Sequence, residues 1–183
     1  MKPALFLDRD GTINRSDIRE GRPYAPTRLE DFHLLPGVAG TIARVRQAGF
    51  PVLVVTNQPD ITTGKQSADT LDAMHGRLRD ELGIDEVLVC PHVDEDRCEC
   101  RKPKPGLLLS AAIKWNVDCR RSVMVGDRWR DVDAGRAAGC VTVFIDHGYA
   151  EKRPEGADLV VSSLLAAEEF IMRHLRGNVA GDK

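Results

Sequence analysis

Short apolar runs alternate with segments of helical period along almost the whole chain. Ala4 to Leu7 reads as a first strand. Gly37 to Ala48 predicts a helix, with Val38, Ile42 and Val45 on one face and Gly49 as its stop. Pro51 to Val55 is the unbroken apolar run expected of a buried strand. Ser67 then caps a helix that carries Leu71, Met74, Leu78 and Leu82 and ends at Gly83. Val87 to Val89 is a short strand, and Cys90 to Pro105 a charged loop containing prolines. Beyond it the pattern gives a helix over Gly106 to Trp115, a strand over Val123 to Val125 and a helix over Asp131 to Ala138. A strand over Val141 to Ile145, a short strand over Leu159 to Val161 and a helix over Leu164 to Leu175 complete the series.

Strands and helices in this alternation predict an α/β fold, a Rossmann-like three-layer sandwich with a mostly parallel central sheet covered on both faces. The length of 183 residues suits a single domain over residues 1–176, with 177–183 as a flexible tail. In such sheets ligands gather outside the carboxyl ends of the strands. The residues found there are Asp8, Thr56-Asn57, Cys90 and Gly126-Asp127.

Asp8-Arg9-Asp10-Gly11-Thr12 follows the first strand directly. Extended alternation puts residues 8 and 10 on one side, and two carboxylates that close need a cation between them or a shared proton. A metal-assisted nucleophile beside a general acid uses both options, whereas the plain alternative is an Asp cap and an Asp-Gly turn. Thr56, Asn57 and Gln58 offer a hydroxyl and amides to a phosphate oxygen, or form an ordinary turn. Arg101-Lys102-Pro103 could bring a cation to the same edge. Lys104 competes for that role, and a solvated basic loop is the bland alternative. In Gly126-Asp127-Arg128-Trp129-Arg130-Asp131, the first Asp suits a hard cation. Asp131 is either a second acid at that cation or the N-cap of the next helix, the cap being favoured.

Composition narrows the partners. A formal net charge of −2 argues against a broad nucleic-acid surface, and no apolar run approaches the ~20 residues of a membrane span. The first strand follows at once on the N-terminus without a signal-like segment, so a cytoplasmic location is expected, and a monomer. Of five cysteines, Cys90, Cys98 and Cys100 crowd one stretch with His92. Two closely spaced ligand pairs of this softness suit a closed, structural tetrahedral Zn²⁺ site. A Cys98–Cys100 redox pair or plain coincidence are the rival readings.

Taken in order, the two-Asp motif at 8–12, Thr56-Asn57, Lys102-Pro103 and the Gly126–Asp131 segment resemble the four motifs of the haloacid dehalogenase superfamily of phosphatases. The Cys/His loop running into Arg101-Lys102-Pro103 is similar to the small branch that includes heptose-bisphosphate and histidinol-phosphate phosphatases. The resemblance implies Asp8 as nucleophile, Asp10 as general acid and base, and Thr56 and Lys102 as holders of the phosphoryl group. It further implies Mg²⁺ held by Asp8, the Asp10 backbone carbonyl and Asp127. Asn57, Gln58, Arg101 and Arg128 are expected to meet the substrate, a small phosphorylated molecule. The motif spacing leaves no room for a separate cap domain, so Asn14 to Pro26 and the zinc loop (90–102) are the only lids. A sugar bisphosphate, namely a heptose 1,7-bisphosphate losing its 7-phosphate, is the first expectation, and histidinol phosphate or another small monoester the second. A receiver-like signalling module shares the acid cluster, Thr and Lys, but needs no second carboxylate such as Asp10. After Gln58 that branch usually continues S-G-I-A-R-G, whereas Pro59-Asp60-Ile61-Thr62-Thr63-Gly64 here lacks the Arg, which Lys65 or Arg22 would have to replace.

Overall fold

The computed structural model describes residues 1–177, so all of the expected flexible tail (177–183) except Gly177 lies outside the described residues. Six strands form one wholly parallel sheet: β1 (Leu5–Leu7), β4 (Val52–Asn57), β5 (Glu86–Cys90), β6 (Val123–Gly126), β7 (Val141–Ile145) and β8 (Leu159–Val161), in the order β5-β4-β1-β6-β7-β8. The chain moves outward from β1 through β4 to β5, then returns to β6 on the other side of β1. The topological switch therefore falls at β1, where a ligand crevice opens in sheets of this kind.

Helices cover both faces because β1 and its neighbours are apolar on both. Leu5, Leu7, Val52 and Val54 face α1 (Val38–Gln47), α2 (Ala68–Leu82) and α5 (Leu164–Leu175). Ala4, Phe6, Leu53 and Val55 face α3 (Gly106–Trp115) and α4 (Trp129–Ala138). Each large aliphatic side chain buried this completely contributes about 1.5–3 kcal/mol relative to exposure.

Helix boundaries follow local chemistry. Ser67 Oγ accepts the Thr70 N–H at 3.1 Å, the expected cap of α2. α4 starts at Trp129, two residues earlier than the apolar pattern indicates, because Arg128 is its N-cap and Asp131 sits inside the first turn. Asp131 is thus not the cap residue; its carboxylate accepts the Arg128 N–H at 3.0 Å from within the helix. Three strands also outrun their apolar stretches. Asn57 pairs with Cys90 and Gly126 with Phe144, since ladder hydrogen bonds continue past the last apolar side chain.

The segment expected as a lid contains an antiparallel hairpin, β2 (Asp17–Arg19) with β3 (Arg22–Tyr24). Its tip is fastened by Ala150 N–H to the Gly21 carbonyl at 2.8 Å, and its exit by Gln66 Nε2 to the Pro26 carbonyl at 3.1 Å.

α4 carries Asp131 and lies close against the sheet because it has no side chain at Gly135. A Cβ there would stand 2.8 Å from both Met124 Cβ and Thr142 Cγ2. Gly135→Ala should therefore destabilise the protein. The overpacking cost of about 1–3 kcal/mol outweighs the propensity gain of about 1 kcal/mol at most sites of this tightness. Urea denaturation checks the sign, and a raised midpoint would show that the helix can lift without penalty.

Candidate active site

The carboxyl end of β1 sends alternate side chains to opposite layers. Asp8 continues the face of Ala4 and Phe6 toward α4, while Arg9 continues the face of Leu5 and Leu7 toward α2. Asp8 N–H is still in the ladder, donating to Val125 O at 2.9 Å. The chain then folds back, with the Arg9 carbonyl accepting from Thr12, Ile13 and Asn14. Gly11 makes this turn possible at φ +80°, and a Cβ there would overlap the Asp127 carboxylate. His147 Nε2 donates to the Gly11 carbonyl at 2.7 Å and pins the turn from β7's side.

Lys102 is the buried centre of the site. Its Nζ lies 2.6 Å from Asp8 Oδ1, 2.6 Å from Asp131 Oδ1 and 2.7 Å from the Val55 carbonyl, with 2 % of the residue exposed. Burial alone would lower its pKa, but the attraction of Asp131 and Asp8 overcomes burial and holds the ammonium above its ordinary value. Lys104 instead points outward, to Glu99 and the Arg97 carbonyl. The Lys102 backbone is clamped by Asn57, whose Nδ2 donates to its carbonyl and whose Oδ1 accepts its N–H, both at 3.1 Å. Both ends of the Asn57 amide are therefore committed to the protein.

Asp10 is held by three residues. Arg9 Nη2 donates to both its oxygens at 2.9 and 3.0 Å, Asn14 Nδ2 to Oδ1 at 2.9 Å and Gln58 Nε2 to Oδ2 at 2.7 Å. Gln58 is fully buried and also donates to Thr56 Oγ1 at 2.9 Å, so it reaches the Asp10 carboxylate rather than the cavity. Thr56 accepts that bond and keeps its own O–H for another acceptor. Sequence reasoning missed Arg9, Asn14 and His147. An Arg between two Asp residues in an otherwise apolar strand end was the one available signal.

Asp8, Asp127 and Asp131 bring carboxylate oxygens within 4.8 Å of one another, all buried. Both Asp127 oxygens are buried without a hydrogen-bond partner, a costly state unless a cation binds there. Burial, then Asp8 and Asp131, raise the Asp127 pKa well above the usual carboxylate range. On Asp8 burial is the largest influence. Lys102 pulls the carboxyl down, Asp131 and Asp10 push it up, and the balance lies at about 7. Hard oxygen donors pressed together, those of Asp127 without a hydrogen bond, fit a divalent cation such as Mg²⁺.

The cysteine loop closes on itself. Cys100 Sγ lies 3.2 Å from Cys90 Sγ, 3.4 Å from Cys98 Sγ and 3.3 Å from His92 Nδ1, and Cys90 Sγ lies 3.7 Å from Cys98 Sγ. A tetrahedron with Zn–S arms of about 2.3 Å has edges of about 3.8 Å; Cys90 and Cys98 stand near that separation and the two Cys100 pairs are tighter, so the four converging atoms suit a small closed site for a soft cation.

Above these groups opens a cavity of about 450 Å³. Its cations are mostly engaged. Arg101 binds Asp94 at 2.6 Å and the His92 carbonyl at 3.0 Å, Arg130 binds both Asp94 oxygens, and Arg128 is paired with Glu151. Arg22 and Lys65 line the same cavity and have no ion pair among the described residues, as do the acids Asp60 and Glu95.

A family model for haloacid dehalogenase-like hydrolases matches residues 12–139, well over half the chain. The chain belongs to that family. The match begins just after Asp10, so the paired carboxylates stand on the geometry above. Among relatives of this haloacid dehalogenase-like hydrolase is the D-glycero-beta-D-manno-heptose-1,7-bisphosphate 7-phosphatase of Rhodopseudomonas palustris. It is 42% identical over 150 residues, covering 75% of this chain and 80% of the relative. The enzyme of the same name from Escherichia coli is 37% identical over 186 residues, covering 93% and 94%. The crystal structure of a D,D-heptose 1,7-bisphosphate phosphatase from B. bronchiseptica, complexed with magnesium and phosphate, superposes with a TM-score of 0.81 at 32% identity, covering 94% of this chain and 99% of that one. The chain is accordingly an enzyme, a phosphoric monoester hydrolase. No helix among the described residues is long and apolar enough to cross a membrane.

The crowded carboxylates make the cation-free protein pH-sensitive. Asp8 rises from 3.8 to about 7 on folding, so the folded chain takes up protons more readily than the unfolded one. Stability is then greatest below about pH 4 for this group and is lost as pH rises toward 7. A bound cation reverses the loss. Mg²⁺ should therefore raise the urea midpoint more at pH 8 than at pH 5, and Asp127→Asn should reduce that difference. Equal stabilisation at both pH values would exclude this cluster as the cation site.

Proposed function

We propose that this protein removes the 7-phosphate of D-glycero-D-manno-heptose 1,7-bisphosphate, using Asp8 as nucleophile and Asp10 as general acid and base. The observation that carries the reading is the Lys102 ammonium fixing one oxygen of Asp8, with the separately anchored Asp10 beside it. The Asp8 carboxylate attacks phosphorus in line and the ester P–O bond breaks, leaving an aspartyl phosphate. Asp10 gives its proton to the departing oxygen, then takes one from water as that water attacks phosphorus. The Asp8–phosphorus bond breaks, returning free Asp8 and inorganic phosphate. Thr56 O–H and Lys102 hold phosphoryl oxygens during both transfers.

Charge sets the metal requirement. Asp8, Asp127 and a phosphate dianion sum to about −4, which Lys102 alone does not offset at separations where each charge pair is worth about 4 kcal/mol. Asp8, the Asp10 backbone carbonyl and Asp127 would hold Mg²⁺, which supplies the remaining positive charge. Cys90, His92, Cys98 and Cys100 would hold a structural Zn²⁺. Arg101 and Lys102 follow Cys100 directly, so the zinc loop sets where the phosphoryl-binding cation stands. The substrate's second phosphate has two unpaired cations to meet, Arg22 and Lys65. Histidinol phosphate is the second reading, favoured by the unpaired acids Asp60 and Glu95, which could meet its amine.

Steady-state kinetics on both substrates separates the readings. The heptose bisphosphate should give the higher kcat/KM, and Arg22→Ala with Lys65→Ala should raise its KM by about ten-fold or more, from contacts of about 1.5–3 kcal/mol each, with little effect on a monophosphate. Asp8→Asn should abolish turnover of either. A preference for histidinol phosphate reverses the substrate assignment, and an active Asp8→Asn removes the mechanism.

Zinc is tested separately. Purified protein should contain one zinc per chain. Stripping it should forfeit binding free energy of about 10–16 kcal/mol, expose the three loop thiols to alkylation and abolish activity that Mg²⁺ does not restore. Metal-free protein with full activity would show that the loop stands without zinc.

A further inference from the structure

Among the described residues Arg9 is the largest side chain with no exposed surface at all. Its guanidinium is used on every side. Nε donates to Asp10 Oδ1 at 3.1 Å and Nη2 spans both Asp10 oxygens. Nη1 faces His75 Nε2 at 3.2 Å and Met74 Sδ at 3.9 Å, and the plane lies over the Phe32 ring at 5.6 Å. Of these groups only Asp10 lines the cavity; Arg9, Phe32, Met74 and His75 are buried behind it and do not.

A buried guanidinium costs several kcal/mol unless it is paired and hydrogen-bonded. A packed apolar residue at this position would avoid that cost, and nothing in the sheet or in α2 requires a charge there. What the charge does is visible at the other end. Asn14 and Gln58 each bind one oxygen of Asp10, and each such contact alone lets the carboxylate turn about the remaining bond. Arg9 engages both oxygens in one rigid plane, which only a fork-shaped cation can do.

We propose that Arg9 is a positioning residue that fixes the Asp10 carboxylate at the reacting phosphoryl group, and that His75 in α2 fixes Arg9 by accepting its remaining N–H. His75 suits that duty because burial and the adjacent Arg9 push its pKa down to about 4, leaving a neutral ring that can accept. With Nε2 the acceptor, the ring proton stands on Nδ1. The proposal rests on the general acid and base role given to Asp10 above.

Arg9→Met, assayed on the phosphate ester that the wild type turns over best, should lower kcat by about 100-fold with KM unchanged, the scale expected when a reacting group is displaced by about 1 Å. Arg9→Lys should recover little of this, since one ammonium does not span two carboxylate oxygens from the same depth. The deciding measurement is the double variant. In an Asp10→Asn background, Arg9→Met should add no further loss, because the group it positions is gone. A residue serving stability alone would multiply the two losses. A folded Arg9→Met with wild-type kcat, or an undiminished effect beside Asp10→Asn, overturns the proposal. A fully active Asp10→Asn overturns the role of Asp10 itself, a different failure. Where Arg9→Met does not fold, His75 decides. His75→Gln keeps an acceptor and should keep kcat, His75→Leu should lower it, and equal rates in both would overturn the link.

Discussion

One ammonium group between two buried carboxylates is the contact on which this site depends. Lys102 Nζ joins β1 through Asp8, β4 through the Val55 carbonyl and α4 through Asp131. Remove it and Asp8 and Asp131 lose the cation that they share, in a place where an unpaired charge costs several kcal/mol. The fold surrounds this point with supports. Asn57 clamps the Lys102 backbone from the end of β4, and Gly135 lets α4 approach near enough for Asp131 to reach.

The carboxylates of Asp8 and Asp10 are held by different cations, and the alternation of an extended chain, which sends residue 9 to the opposite layer, is the device that supplies the second one. Asp8 leans toward the α3–α4 layer and meets Lys102. Arg9 leans toward α2 and turns its guanidinium back onto Asp10. Each acid therefore has its own buried cation, Lys102 from one layer and Arg9 from the other. The unpaired oxygens of Asp127 complete the arrangement from β6.

Around the mouth the same economy recurs at lower cost in burial. Thr62 Oγ1 donates to the Pro91 carbonyl, Gln66 to Pro26 and Ala150 to Gly21, so the hairpin, the loop after β4, the cysteine loop and the segment after β7 brace one another. A mouth formed in this way needs no cap domain. Most of its guanidinium groups serve the scaffold, as Arg101 and Arg130 do on Asp94. Arg22 and Lys65 line the same mouth without an ion pair among the described residues.

Sequence by itself determined the elements and their order. The limits of α3, β7, β8 and α5 follow directly from apolar period, and the sheet type from the strand–helix alternation. It also determined which residues stand at the carboxyl edge, because a motif next to a strand end has little freedom to be anywhere else. The cysteine loop was legible for a similar reason: closely spaced soft ligands can meet without help from the rest of the fold. Tertiary structure alone decided what each polar group touches. Asn57 and Gln58 read as groups for a substrate, yet one clamps Lys102 and the other Asp10. Arg101 and Arg128 read as free cations, yet Asp94 of the same cysteine loop engages the one and Glu151, beyond β7, the other. Lys102 rather than Lys104 turns inward, and Arg9 is buried where a cation would ordinarily seek water. The contacts of Asn57, Gln58 and Lys102, and that of Arg9 with His75, depend on partners 45 to 94 residues away in the chain, and local pattern carries no information about which of several possible partners folding will bring within hydrogen-bond reach.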